Sequence, residues 1–137
     1  SPFAPATAVS AYASHVFISA AHSKPFTFPV APTVTSSIIY VKDVIQGILQ
    51  LINVPREQLT RSVYNLHGFT ASTDSLGQVA AKKVPGFQYH FEPNLLSTMI
   101  LAAQPSVYID ASARKDWGWN PQFDLLKTAD DIMASLR

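Results

Sequence analysis

Asp110-Ala111-Ser112-Ala113-Arg114-Lys115-Asp116-Trp117-Gly118-Trp119-Asn120-Pro121, followed by Phe123-Asp124-Leu125, is the stretch that decides how this chain is read. Asp110 is a candidate cap for one or two helical turns over 112–117. Two tryptophans one residue apart, then a proline-fixed turn, can each bury on the order of 200 Å². Placed here, they would pin the following helix to the body. That helix is expected over 124–136, with Leu125, Ala129, Ile132, Met133 and Leu136 inward. On its residues alone the run is core rather than site.

Working upstream, Leu95–Ala103 reads as a short helix before Pro105, and Gln88–Phe91 alternates like a strand with Tyr89 and Phe91 on one side. Ser72–Val84 reads as a helix stopped by Pro85-Gly86, and Ser62–Leu66 as a strand ended by Gly68. The strongest helical pattern lies in Val41, Val44, Ile45, Ile48, Leu49 and Ile52, at i, i+3, i+4, i+7, i+8 and i+11. Pro55 closes it, because proline cannot continue the hydrogen-bond ladder. Phe26–Val30 and Ser36–Val41 read as short extended pieces around a loop bearing Pro29 and Pro32. Residues 7–22 read as a first helix, begun by Thr7 or Pro5, with Val9, Tyr12, Ala13, Val16, Phe17 and Ala20 on one face.

Helices that separate several of the strands favour an α/β architecture over a bundle or a sandwich. Strands this few and short make a poor free-standing sheet. They are expected to complete a sheet whose main part is elsewhere.

The bulk numbers agree with one folded unit over 1–137. The chain is 47% hydrophobic and 14% charged, too apolar for disorder. Its net charge is +1 and no cationic run exceeds Lys82-Lys83, so neither nucleic acid nor an anionic membrane surface is an expected partner. Without cysteine, disulfides, thiolate zinc sites and cysteine nucleophiles are excluded. No apolar window is long enough to span a bilayer. The opening Ser1-Pro2-Phe3-Ala4-Pro5 has neither an initiator Met nor the basic region of a signal peptide, so the start looks cut.

Motifs that carry chemistry are scarce in the chain. Gly47, Gly68, Gly77, Gly86 and Gly118 are too dispersed for a phosphate loop, which needs glycines clustered between a strand and a helix. A short-chain hydride-transfer enzyme needs Lys four residues after Tyr, to lower the phenol pKa. After Tyr12, Tyr40, Tyr64, Tyr89 and Tyr108 that position holds Val16, Val44, Gly68, Pro93 and Ser112. His15, His22, His67 and His90 show no metal-ligand spacing, and read as surface or satisfied half-buried rings. Asp130 and Asp131 read as solvated helix residues, and Asp43 as a first-turn carboxylate at the positive end of its helix dipole. No Gly-x-Ser-x-Gly elbow is present.

The Ala-Arg-Lys-Asp-Trp-Gly-Trp-x-Pro run at 113–121 closely resembles the end of extended short-chain (NAD-dependent epimerase/dehydratase-type) dehydrogenases, above all the short-chain L-threonine 3-dehydrogenases. Other landmarks follow in order. Tyr40-Val41-Lys42-Asp43 resembles the family's Tyr-x-x-Asp helix entry, and Val54-Pro55-Arg56-Glu57 its helix exit. Tyr64-Asn65-Leu66 with Gly68 resembles the Tyr-Asn-x-x-Gly edge strand. The resemblance runs from about residue 8 to the end of the chain.

The resemblance implies a fold and a function. The chain would be the C-terminal, substrate-binding portion, carrying the last strands of a Rossmann sheet and a small α/β lobe. An N-terminal nucleotide-binding half, absent here, would hold NAD and the catalytic Tyr/Lys pair, so this chain would be inactive alone. The intact enzyme would oxidise L-threonine to 2-amino-3-oxobutanoate, most simply as a homodimer, mitochondrial in a eukaryote and cytoplasmic in a bacterium. Ser10 keeps a hydroxyl where the family offers a Thr hydroxyl to substrate. Gln104 stands before Pro105 where the family has a Trp that closes over the amino acid. Both are the expected substrate-binding residues; no catalytic, cofactor or metal residue is expected in this chain. A nucleotide-sugar epimerase or dehydratase of the same superfamily is the alternative, disfavoured by the scarcity of arginine, and a non-catalytic binding module is the third reading.

Overall fold

The structure, a computed structural model, describes residues 8–136, so the expected helix start at Thr7 or Pro5 and the reading of Ser1–Pro5 lie outside the described residues. Within that range the chain forms six α-helices and four short strands. In order they are α1 (Tyr12–Ala21), β1 (Phe26–Phe28), β2 (Thr35–Ile38), α2 (Val41–Ile52), β3 (Phe69–Ser72) and α3 (Thr73–Lys83). β4 (Tyr89–Phe91), α4 (Leu95–Ala102), α5 (Ala111–Trp117) and α6 (Leu125–Ser135) complete the fold. The mixed α/β architecture expected from the sequence is present.

The strands pair two by two. β1 runs parallel to β4, with Phe28 opposite Phe91, and β2 runs antiparallel to β3, with Ile38 opposite Phe69. The three-residue strands β1 and β4 are reinforced by interlocking aromatic side chains. Phe28 stacks on Phe91 at 5.1 Å and meets Tyr89 and Tyr12 edge-on. Around this cluster α1, α3 and α6 pack together, burying Val16, Phe17, Leu76, Ala80, Ala129 and Ile132.

Helix ends follow local chemistry. Ser72 caps α3 by accepting from the Ser75 N–H at 3.1 Å, and Asn94 and Asp124 cap α4 and α6 in the same way. α1 starts later than its pattern suggests: residues 8–11 make a turn closed by the Ala11 N–H on the Ala8 carbonyl, and Val9 is exposed.

Four further expectations are corrected by the structure. Ser62–Leu66 forms no strand, because nothing in the described residues pairs with it. Val63 points to solvent, and Tyr64 turns inward to donate to Asp116. The strand lies instead beyond Gly68, as β3. Asp110 does not cap α5 with its side chain; its carboxylate accepts from Arg114 Nε at 2.8 Å and Trp119 Nε1 at 3.0 Å. Asp43 is fully buried and serves another segment: its two oxygens accept from the N–H groups of Gln122 and Phe123, at 2.9 and 3.0 Å.

Asp131 is likewise less solvated than expected. It accepts from the Tyr40 hydroxyl and from Lys42 Nζ, each at 2.7 Å, while Asp130 remains exposed beside Lys83.

Gly68 is required by proximity. A Cβ there would lie 2.5 Å from the Ile38 carbonyl oxygen and 2.9 Å from Ile39 Cα, both backbone atoms that cannot rotate away. Gly68→Ala is therefore expected to displace the β2–β3 ladder and cost about 1–3 kcal/mol in urea unfolding.

Candidate functional site

The loop between β1 and β2 is held at several points. The Pro29 carbonyl accepts from the Asn94 N–H, Pro32 from Asp74 and Val34 from Thr73, while the Ala31 N–H donates to Thr98 Oγ1 at 3.3 Å. Proline at 29 and 32 fixes φ and lowers the cost of ordering the loop. A rigid loop of this kind can position groups for a ligand.

Two hollows flank it. One, of about 290 Å³, lies between the turn before α1, β1 and α4, with Val9, Tyr12, His15, Thr27, Pro29 and Ser97 in its walls. Tyr12 Oη shares a hydrogen bond with Ser36 Oγ, and Thr27 Oγ1 pairs with His90 Nε2 at 2.8 Å. The other hollow, of about 300 Å³, has walls from Thr33, Thr35, Thr98, Gln104 and Ser106 among others. Its polar groups are neutral. Hydroxyls and a carboxamide can hydrogen-bond an ammonium or a carboxylate, but they supply no charge to drive proton transfer.

Ser10 is exposed in the turn before α1, between Val9 and Ala11 of the first hollow, whereas Gln104 is exposed on the wall of the second. These hollows do not bring the two residues together. The hydroxyls of Thr33, Thr35, Thr98 and Ser106 were not singled out from sequence; the one available signal was the hydroxyl-rich run at 33–37.

The tyrosines and carboxylates with displaced titration are structural. Burial, then the hydrogen bond to Asp131 and its charge, push the Tyr40 phenol up to about 12. Burial and Asp74 move Tyr89 in the same direction. A catalytic phenolate needs the opposite shift. Asp116, 4% exposed, accepts from Tyr64 Oη at 2.5 Å and from the Thr60 hydroxyl and N–H at 2.7 and 3.0 Å. The hydrogen bonds from Tyr64 and then Thr60 hold its carboxyl down to about 2.

The sign follows. With its folded pKa below the ordinary 3.8, Asp116 stabilises the fold fully above that value, and the contribution disappears as pH falls through the folded pKa of about 2. Asp116→Asn should be less stable than the parent chain at neutral pH. The gap should narrow between about pH 4 and about pH 2 in urea titrations at stepped pH. A gap independent of pH would remove this account.

Among the described residues no His, Asp or Glu cluster is placed to hold a metal ion, and no helix is long and apolar enough to cross a membrane.

This architecture is shared with solved L-threonine dehydrogenases. The chain is homologous to the L-threonine 3-dehydrogenases and epimerase/dehydratases. Over 114 residues, 83% of its length, it is 29% identical to the mitochondrial L-threonine 3-dehydrogenase of Bos taurus, of which the match covers 31%. It is 27% identical over 115 residues to an uncharacterised epimerase/dehydratase of Staphylococcus haemolyticus, covering 83% of this chain and 36% of that protein. The GalE-like L-threonine dehydrogenase of Cupriavidus necator, in its holo form, superposes with a TM-score of 0.91 at 28% identity, over 97% of this chain and 43% of that one. No protein-family model matches. The chain thus spans about a third of the length of the curated relatives it matches.

Proposed function

We propose that this chain is the substrate-binding part of an NAD-dependent L-threonine 3-dehydrogenase. The observation that carries the reading is the superposition of 97% of the chain on a GalE-like L-threonine dehydrogenase, with the Asp-Trp-Gly-Trp run in its sequence. In this reading the parent oxidises the 3-hydroxyl of L-threonine, NAD takes the hydride, and the product is 2-amino-3-oxobutanoate. The parent is a homodimer, mitochondrial in a eukaryote like its mammalian relatives and cytoplasmic in a bacterium.

The described residues do not fit a dinucleotide. Gly47 is packed against Trp119 and Leu66, Gly68 against backbone and Gly77 against Tyr89. Gly86 and Gly118, with φ of +87° and +72°, follow the ends of α3 and α5. None leaves a helix N-terminus open to a pyrophosphate. NAD and the Tyr/Lys pair are therefore assigned to a preceding half, and no step of hydride transfer is routed through these residues. In this reading the chain holds the anchored loop and excludes water, with Ser10 offered to the amino acid from one flank of the loop and Gln104 from the other.

A nucleotide-sugar epimerase or dehydratase is the second reading, favoured by the staphylococcal relative. Against it, the residues lining the two hollows beside the loop include no Lys or Arg to hold a diphosphate.

NAD reduction with L-threonine, and turnover of a nucleotide sugar, measured on the full-length parent and on this chain alone, separate the readings. Threonine turnover by the parent only is expected. In the parent, Ser10→Ala should raise KM for threonine about tenfold, the loss of one hydrogen bond to a charged group. Turnover of a nucleotide sugar without threonine activity, or NAD reduction by this chain alone, would overturn the proposal.

A further inference from the structure

α4 is a wall of both hollows beside the loop: Ser97 faces the first, and Thr98 and Ala102 the second. Among the described hydroxyls lining the second hollow, that of Thr98 is singled out by a hydrogen bond from the loop, its Oγ1 accepting from the Ala31 N–H at 3.3 Å. A threonine inside a helix ordinarily turns its hydroxyl onto a carbonyl three or four residues back. Here, among the described residues, the Thr98 proton has no acceptor. Its oxygen is engaged by the loop and its O–H is free to donate, and accepting one hydrogen bond strengthens a hydroxyl as a donor. Pro29 and Pro32 fix the chain on either side of Ala31, so the bond that orients the hydroxyl is itself held in place. Thr33 and Thr35, by contrast, are exposed, and a ligand would have to arrest their rotation.

Resting on the L-threonine reading above, we infer that Thr98 is a further substrate-binding residue, its Oγ1–H donating to the carboxylate of the amino acid in the second hollow. A carboxylate only accepts, so it calls for a donor, and a hydroxyl already oriented by the Ala31 N–H supplies one with little left to order. Gln104 lines the same hollow, and its carboxamide oxygen can accept from the ammonium. One hollow thus offers a neutral partner to each charged end of the amino acid. The walls carry no Lys, Arg, Asp or Glu to compete for either. Thr98 transfers no proton in this role: it binds and orients.

The test is a pair of variants in the full-length parent: Thr98→Val keeps the branched shape without the hydroxyl, and Thr98→Ser keeps the hydroxyl. Thr98→Val should raise KM for L-threonine at least about tenfold, the loss of one hydrogen bond to a charged group, while kcat changes less than about twofold. Thr98→Ser should return KM to within about threefold of the unsubstituted enzyme. Amide hydrogen exchange in the same proteins reads the orienting bond: the Ala31 amide should exchange about tenfold faster in the valine variant and at the original rate in the serine variant. A KM untouched by Thr98→Val, in a parent that does turn over L-threonine, overturns the inference alone. A serine variant as impaired as the valine variant overturns it too, since the methyl group and not the hydroxyl would then matter. So does an Ala31 amide that exchanges equally in all three proteins, which removes the orienting bond. A parent that never turns over L-threonine overturns the reading and this inference together.

Discussion

Trp119→Ala is expected to cost this chain about 3–5 kcal/mol of unfolding free energy, a large part of the roughly 5–15 kcal/mol a domain possesses. Trp119 is 1% exposed and is the largest fully buried side chain. Its ring lies so close to α2 that a Cβ on Gly47 would meet Trp119 Cζ3 at 3.0 Å and Leu66 Cδ1 at 2.7 Å. The indole also donates to Asp110, joining the end of the Trp run to the start of α5. Removing it leaves a cavity between α2 and α5 and deprives a half-buried carboxylate of a donor. Trp119→Phe isolates the parts: it keeps much of the packing, loses the N–H, and should cost about 1–2 kcal/mol. Urea unfolding followed by far-ultraviolet circular dichroism reads both, since fluorescence would itself change with the indole. A loss below about 1 kcal/mol for the alanine variant would show that this run does not hold the fold.

Asp43→Ala should have the second large effect, about 2–5 kcal/mol, because it removes a fully buried carboxylate and strands two part-buried backbone donors, Gln122 N–H and Phe123 N–H. The bland alternative, a carboxylate favourably placed at the start of a helix, is worth about 0.3–1 kcal/mol. The magnitudes therefore distinguish the roles. Asp43→Asn sharpens the test. The amide is nearly the same size but presents one oxygen and one NH₂, so one of the two N–H groups faces a donor and most of the loss should remain. An asparagine variant as stable as the parent chain at neutral pH would sink this account.

What was legible in the sequence was periodicity. α2, α3, α4 and α6 stand where their patterns put them, and β1 and β4 were readable as short extended pieces bounded by proline or glycine. Pairing was less legible. Ser62–Leu66 has strand composition, but a strand exists only when another backbone supplies its hydrogen bonds. β3, beyond Gly68, was missed for the converse reason, since four residues carry too little pattern to declare themselves. The aliphatic stripe of α2, largely exposed, shows the same limit at the level of packing: an apolar face announces that it needs cover, not that the same chain provides it.

Polar roles were read only in part. Asp43, Asp110 and Asp131 were assigned to caps or solvent by position in their own helices, yet each binds a group from another segment. Linear spacing does not contain such contacts. The expected role of Trp117 and Trp119 in pinning the last helix is shared out differently. Trp119 grips α2, and the start of α6 is drawn in by Asp43 together with the Tyr40–Phe123 ring contact at 4.8 Å. For the candidate site, Ser10 and Gln104 were named through resemblance to a family. The hydroxyls of the second hollow come from the loop, the start of β2, α4 and the segment after it, and only folding gathers them.

The bond between Asp43 and the backbone at 122–123 spans 79 and 80 positions. During translation the carboxylate of α2 leaves the ribosome long before its acceptor site is occupied. It must stay hydrated, and the helix loosely seated, until the segment carrying Gln122 and Phe123 emerges. Nascent chains stalled short of Gln122 should accordingly remain open to protease at α2, and closure should come abruptly once residues 122 and 123 have cleared the ribosome.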